Sequence, residues 1–414
     1  GVPGEETEDL LFSLSRSKQI TFIPTRHEQG AAFMANVWGR LTGKVGVCLS
    51  TLGPGATNLV TGLADAFMDK APVLALTGQA DSKRLHKESH QYIDVVALMR
   101  PISKWNTLLH TPDITAEVVS KAIRIAETEK PGVTHIDIPE DIAHMSYDGT
   151  PIEMAKVRRG APDYKAIEKA VTLLQKSERP IILAGNGAIR KRAAKQLRLL
   201  SSIYNIPVVS TFMGKGAVSD LEVQSLYTAG MKAKDIPAYA LEKADLVIAV
   251  GYDIAEYDPS FWNTKDTRPI VHIDFESSET YEYYQPTVEI VADVSAALWE
   301  LSRVLEEQKM RVFDSWYLSY RTKMSKDIAS YSKEPKIPTV PYVVSVLRDH
   351  MPTDAILLSD VGSHKMWIGR NFPVYEPGTC IISNGLASMG IALPGGMAAK
   401  LAYPERKVVS VMGD

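Results

Sequence analysis

Short apolar runs recur along this chain, and they are followed by glycine-bearing turns and then by stretches whose apolar positions fall three and four apart. Residues 45–51, 71–78, 180–184, 244–251 and 270–274 have the pattern of strands buried on both faces. Residues 59–69, and a segment beginning near Pro162, have the helical pattern. Residues 20–23 read as a further short buried strand, leading into a helix that presents Ala31, Met34, Val37, Trp38 and Leu41 on one face and ends at Gly43. Strand and helix alternate, which predicts βαβ units and largely parallel sheets. Two interruptions divide the pattern: residues 144–162, with Asp148-Gly149 and Ala161-Pro162, and the charged stretch 309–340, with a helix followed by Pro335, Pro338 and Pro341. The expected fold class is therefore α/β, with three doubly wound parallel-sheet domains over residues 1–145, 162–308 and 339–414.

Composition narrows the function. The 414 residues are 45% hydrophobic and 23% charged, an ordinary globular balance. No apolar run reaches the ~20 residues that span a bilayer, so no membrane partner is expected. A net charge of −3 leaves no basic footprint for nucleic acid. The two cysteines, Cys48 and Cys380, sit in separate apolar runs, which favours reduced core thiols over a disulfide or metal site and points to the cytoplasm. The chain opens on Gly1 rather than Met, so a targeting peptide remains compatible with it.

Three stretches carry candidate chemistry. Glu28 stands where the first predicted strand hands over to its helix, the end of a parallel sheet at which ligands bind. A carboxylate placed there against Ala, Phe and Met is costly to ionise, although a first-turn Glu also complements the helix dipole. Residues 52–58, too glycine-rich for helix or strand, let backbone N–H groups of the Gly53-Pro54-Gly55 turn approach a ligand, with the Asn58 amide beside them. Residues 85–94 form a polar surface loop containing His90 and Gln91. A fourth stretch, Gly185-Asn186-Gly187 after the strand 180–184, has half of a dinucleotide fingerprint but lacks its third glycine and the later acidic residue, which favours a structural turn.

Arg26-His27-Glu28-Gln29, Leu52 to Asn58, His90-Gln91 and Met99 to Lys104 follow one another in an order that resembles the pyrimidine-binding domain of the thiamine-diphosphate enzymes of the acetolactate synthase and pyruvate oxidase group. Ser359 to Trp367 and Ser383 to Pro394 resemble the start of that group's diphosphate-binding domain. The resemblance covers nearly the whole chain and implies that the first domain lacks its start and the third its end.

It further implies a carboligase that decarboxylates pyruvate and joins the two-carbon fragment to a second 2-oxo acid. Glu28 would contact the pyrimidine nitrogen, Gln91 the reacting intermediate, and Pro54 and Asn58 the cofactor. Met389 would be the wedge over which the cofactor bends, with backbone bonds from Ala387 and Met389. Gly362, Ser363 and His364 would hold the diphosphate. Gly413 and Asp414 resemble the opening of the Gly-Asp-Gly motif, with Asp414 a ligand to Mg2+. The sequence from Tyr252 to Asn263 departs from flavin-binding members and resembles flavin-free, catabolic acetolactate synthases, so FAD is not expected. A homodimer or dimer of dimers is expected, since in this group the first and third domains that complete a site come from different subunits. Pyruvate oxidase or 2-oxo acid decarboxylase activity on the same scaffold, and a non-catalytic cofactor-binding relative, are the alternatives.

Overall fold

The computed structural model describes residues 1–153, 160–230, 235–264 and 268–413. In chain order its strands are β1 Gly46–Ser50, β2 Val73–Gln79, β3 Trp105–Leu108, β4 Val133–Pro139, β5 Pro180–Ala184, β6 Val208–Ser210, β7 Ser225–Thr228, β8 Leu246–Val250, β9 Ile270–Asp274, β10 Val288–Val291, β11 Ile356–Ser359, β12 Cys380–Ile382 and β13 Val408–Val411. The described residues fall into two compact units, residues 1–153 with Gly385–Met412 and residues 160–384 with Gly413.

In the first unit the strands run in the order β1-β2-β4-β3, all parallel. One face buries Ala31, Leu59, Leu63 and Val73; the other buries Leu74, Ile136 and Ile138. Neighbouring positions on β2 thus serve opposite cores, which is why the strand reads as continuously apolar.

In the second unit the order is β10-β9-β8-β5-β6-β7, again all parallel. Renumbered from β5, this is the doubly wound 3-2-1-4-5-6 arrangement, whose switch point lies between β5 and β8. Ile182 and Ala184 point into one core and Ile181 and Leu183 into the other. A further parallel pair, β11 with β12, opens a third sheet. The fold class is the expected one, with three parallel α/β sheets.

Four local expectations are corrected. Residues 20–23 form no strand: Ile20 is 59% exposed, and the segment's ties to a neighbour are the Gly1 amine donating to Ile23 O at 2.9 Å and Thr25 N donating to Gly1 O at 2.9 Å, too few for a ladder. The helix Glu28–Thr42 buries more than one face, because Ala32, Phe33, Ala35 and Asn36 are buried along with Ala31 and Met34. It is packed on several sides, and its end at Gly43, with φ 68°, is as expected.

The glycine-rich stretch 52–58 is mostly helix, since the helix Pro54–Met68 begins at Pro54. Proline at the first helical position loses no bond and brings a preset φ, which outweighs the cost of Gly55. The stretch 309–340 is not merely a linker. Its Phe313 and Tyr317 are buried, Phe313 N donates to Tyr204 O at 3.0 Å, and Arg321 of the helix Leu318–Ser330 donates to Ser225 O at 2.8 Å and Asp220 O at 2.7 Å. Of the first expected linker, residues 154–159 lie outside the described residues.

Candidate active site

Glu28 is the first residue of its helix, capped by His27, whose Nδ1 accepts from Gln29 N at 3.1 Å. Its carboxylate is buried at 8% exposure, and Asn58 Nδ2 donates to Oε2 at 3.0 Å. The Asn58 amide is therefore directed to Glu28. The second oxygen faces Gly55, where a Cβ would stand 3.5 Å from Glu28 Oε1 and collide with Thr51 Cγ2 at 2.7 Å. Pro54 is exposed at the start of the adjoining helix.

Gly53 links this turn to the polar loop. Its φ of 50° and ψ of −111° lie outside the range open to other residues, and a Cβ there would stand 2.6 Å from the Gln91 carbonyl oxygen. Gln91 is exposed, with φ 57°. Its loop is held from the sheet: Gln79 Nε2 donates to Ile93 O at 3.1 Å and to Asp137 Oδ2 at 2.9 Å. Thr77 Oγ1 donates to Asp137 Oδ1 at 2.5 Å and lies 2.8 Å from His135 Nε2. The hydroxyl has one proton, so His135 Nε2–H must be the donor in the second contact. Burial lowers the His135 pKa to about 3, and burial raises that of Asp137 from 3.8 to about 6 against the pull of the Thr77 and Gln79 bonds.

The segment carrying Ala387 and Met389 belongs to the same unit. Ala387 has φ 58°, and Gly390, with φ 95°, lies so close to the Glu28 helix that a Cβ on it would meet Phe33 Cε2 at 3.8 Å and Gln29 Nε2 at 3.9 Å. Met389 is 61% exposed, so it does not fill a core within the described residues. One unit of one chain thus brings together Glu28, Pro54, Asn58, Gln91, Ala387 and Met389.

In the second unit β11 hands over to the helix Ser363–Asn371, with Gly362 as its N-cap. Gly362 and Ser363 are exposed, as suits a helix start open to an anion. His364, which composition alone would place on a surface loop, is buried, and its Nε2 has no hydrogen-bond partner among the described residues. The ring folds over Gly362, where a Cβ would stand 2.9 Å from its Cε1, and lies beside Gly413. Lys365 Nζ turns away, donating to Ser383 O at 2.8 Å and Asn384 Oδ1 at 3.2 Å. Asp414 lies outside the described residues, and among those described there is no cluster of three or more metal-ligating side chains.

The Gly185 turn sits at the switch point of the middle sheet. Glu256 fills it: its carboxylate accepts from Asn186 N at 3.0 and 3.1 Å, from Asp253 N at 3.2 Å and from Thr211 Oγ1 at 2.5 Å. Gly187 packs on Gly251, where a side chain on either would strike the other's backbone. Sequence reading of this turn as structural is matched by the geometry; it passed over Glu256, whose place in a loop after β8 gave no local sign of the contact. It also passed over Asp65 and Asp69, although two aspartates four apart at the end of an otherwise uncharged helix were a visible signal.

Parallel α/β sheets, a buried carboxylate beside a glycine-bearing helix start in one unit, and in the other a helix start open to an anion agree with the class of thiamine pyrophosphate enzymes, whose family profiles match the chain. The N-terminal thiamine-pyrophosphate-binding domain matches residues 1–98, the central domain 167–301 and the C-terminal binding domain 360–414. The acetolactate synthase of Bacillus subtilis is 34% identical across the whole chain, which covers 73% of that relative. That of Mycobacterium leprae is 34% identical with 68% of its length covered, and the acetolactate synthase large subunit of Corynebacterium glutamicum 31% with 67%. The chain belongs to the acetolactate synthase family of thiamine-diphosphate-dependent enzymes. No helix among its described residues is long and apolar enough to cross a membrane.

Proposed function

We propose that this chain is the catalytic chain of an acetolactate synthase, which decarboxylates one pyruvate and joins the two-carbon fragment to a second. The observation that carries this reading is the buried Glu28 carboxylate, oriented by the Asn58 amide. Bound thiamine diphosphate supplies the electron sink that decarboxylation of a 2-oxo acid requires.

The chain's residues do the rest. Glu28 Oε1, the oxygen not taken by Asn58, would hydrogen-bond a ring nitrogen of the cofactor. Met389 would support the cofactor, with the backbone of Ala387 and Met389 hydrogen-bonding its ring; Gln91, exposed on the loop that meets Gly53, would reach the reacting intermediate. Pro54 closes the turn against the cofactor. The start of the helix Ser363–Asn371, through Gly362, Ser363 and the Nε2 of His364, which has no partner among the described residues, suits the diphosphate. Mg2+ with Asp414 as ligand beside Gly413 rests on the sequence Val408 to Asp414 alone.

The expectation that FAD is not a cofactor is supported by the middle sheet. The crevice where a dinucleotide phosphate would meet the Gly185 turn is filled by the Glu256 carboxylate, whose bonds use the N–H groups a phosphate would need. A homodimer or dimer of dimers is supported by Leu393, Met397 and Leu401, spaced four apart on the helix Ala392–Ala402 and 57%, 53% and 49% exposed. Two buried free thiols suit a reducing compartment such as the cytoplasm.

The deciding experiment supplies full-length protein with pyruvate, thiamine diphosphate and Mg2+. Acetolactate as the main product supports the proposal; acetaldehyde or acetyl phosphate in its place refutes it. Light scattering under the same conditions should give a dimer or tetramer, and a monomer with full activity would refute the assembly.

A further inference from the structure

The helix Ser363–Asn371, whose start suits the diphosphate, carries an unmet demand at its other end. The last carbonyls of a helix have no donor within it. Ile368 O accepts from Phe372 N at 3.1 Å, but the next carbonyl, Gly369 O, would look to residue 373, which is proline and has no N–H. Lys215, on the loop that follows β6, supplies the donor: its Nζ reaches Gly369 O at 3.0 Å.

Lys215 is buried at 2% exposure, and its Nζ also donates to Thr228 Oγ1 at 3.2 Å and lies 3.8 Å from Asp220 Oδ2. Asp220 in turn grips the chain just past the helix. Its N donates to Val374 O at 2.9 Å, and its Oδ2 accepts from Val374 N at 2.8 Å. Arg198 Nη2 bridges the same two segments, donating to Gly216 O and to Tyr375 O, both at 3.0 Å. Gly369 rests on Phe212, where a Cβ would stand 2.0 Å from Cε1, and one turn back Lys365 Nζ stands 5.3 Å from the centroid of the same ring.

A buried ion pair costs more to desolvate than two apolar residues of the same size, so packing alone would not call for Lys215 and Asp220. The lysine does what an apolar side chain cannot, which is to satisfy the carbonyl that Pro373 leaves open at the negative end of the helix. Asp220 neutralises its charge close by. Its effect at the helix start, roughly 13 Å away along nine residues, is therefore one of position and not of charge. The Arg370–Asp327 pair on the same turn, with side chains 29% and 27% exposed, is screened by water and is the weaker hold. Gly362 and Ser363 are exposed, so the helix is held at one end and open at the other.

We propose that Lys215 is a positioning residue for cofactor binding: by donating to Gly369 O it fixes the closed end of the helix Ser363–Asn371 and so sets where Gly362, Ser363 and His364 meet the diphosphate. The proposal rests on the reading of that helix start as the diphosphate site.

The test uses full-length protein. Lys215→Met keeps the length of the side chain but has neither charge nor donor, and Lys215→Met/Asp220→Asn also removes the carboxylate that the first change strands. Hydrogen exchange without cofactor should show the Phe372 and Val374 amides losing protection in both variants, while those of Ile182 and Leu183 in β5 keep theirs. Calorimetric titration with thiamine diphosphate and Mg2+ should show affinity weakened by about tenfold or more, the size of one lost bond to a charged group. At saturating cofactor the KM for pyruvate should stay within about twofold of wild type, a split that general loosening of the fold would not produce. Unchanged protection at Phe372 and Val374, unchanged cofactor affinity, or a pyruvate KM that rises in step with the cofactor Kd would overturn the proposal. Failure of both variants to fold would overturn it too, making the lysine general scaffolding. Ser363→Asp separates the two readings: a carboxylate at the helix start should repel the diphosphate and abolish tight binding while leaving Phe372 and Val374 protected. If Ser363→Asp binds the cofactor normally, the reading of the helix start is wrong whatever Lys215 does.

Discussion

The Asn58 amide donates to Glu28 Oε2 at 3.0 Å, so a residue four places into one helix fixes the rotamer of the carboxylate that opens another. The bond selects which carboxylate oxygen is left for a ligand. Glu28→Gln should therefore keep the fold, with its amide oxygen still accepting from Asn58, while lowering turnover at saturating cofactor by ~10²–10⁴, the range for a lost acid–base group. Asn58→Ala should cost less, about tenfold, as the loss of one bond to a charged group. Steady-state rates with far-ultraviolet dichroism melts on both variants check this, and a Glu28→Gln enzyme with most of its turnover would sink the assignment.

Gly53 makes a prediction that the sequence motif alone does not. With φ 50° and ψ −111°, and the Gln91 carbonyl 2.6 Å from any Cβ, Gly53→Ala must move either the turn or the loop. Strain of ~1–3 kcal/mol is expected. Urea melts should record that loss, and the displaced loop should raise the KM for pyruvate. An alanine variant with native stability and KM would mean that the turn and loop are not in contact in solution.

Asp137 gives a pH dependence. Its folded pKa of about 6 lies above the 3.8 of the free carboxyl, so between those values the folded chain binds more protons than the unfolded one. Stability from this group is then present at low pH and is lost as pH rises through about 6, by ~3 kcal/mol at most. Asp137→Asn cannot ionise. The stability difference between wild type and Asp137→Asn should shift in favour of the variant between pH 5 and pH 8 by about 1 kcal/mol, read from denaturant melts at each pH. A difference independent of pH would show that the carboxyl titrates at its ordinary value.

Protein purified from its own source should lack stoichiometric flavin absorbance, and its activity should not change when FAD is added. The reason is Glu256, which holds Asn186 N and Thr211 Oγ1 at the switch point of the middle sheet. Stoichiometric flavin recovered from the native protein would require this carboxylate to swing away, and would refute the proposal.

Much of this protein is determined by its sequence. The strands at Gly46–Ser50, Val73–Gln79, Pro180–Ala184, Leu246–Val250 and Ile270–Asp274 announce themselves because strands buried on both faces need uninterrupted apolar residues, and the Gly43 helix end because only a residue tolerant of positive φ closes a helix that way. The motif order from Glu28 to Met389 likewise identifies the family. Tertiary structure alone decided the rest. Residues 20–23 are apolar enough for a strand but have no ladder to join, and the charged stretch 309–340 docks because Phe313 and Tyr317 find a core made by residues a hundred positions earlier. Asn58 bonded to Glu28, Glu256 seated on Asn186, and Asp69 holding Gly385 across more than three hundred residues depend on chain segments distant in sequence. A local pattern reports what a residue could bury or bond; which partner it meets is set only when each unit packs segments distant in sequence against one another.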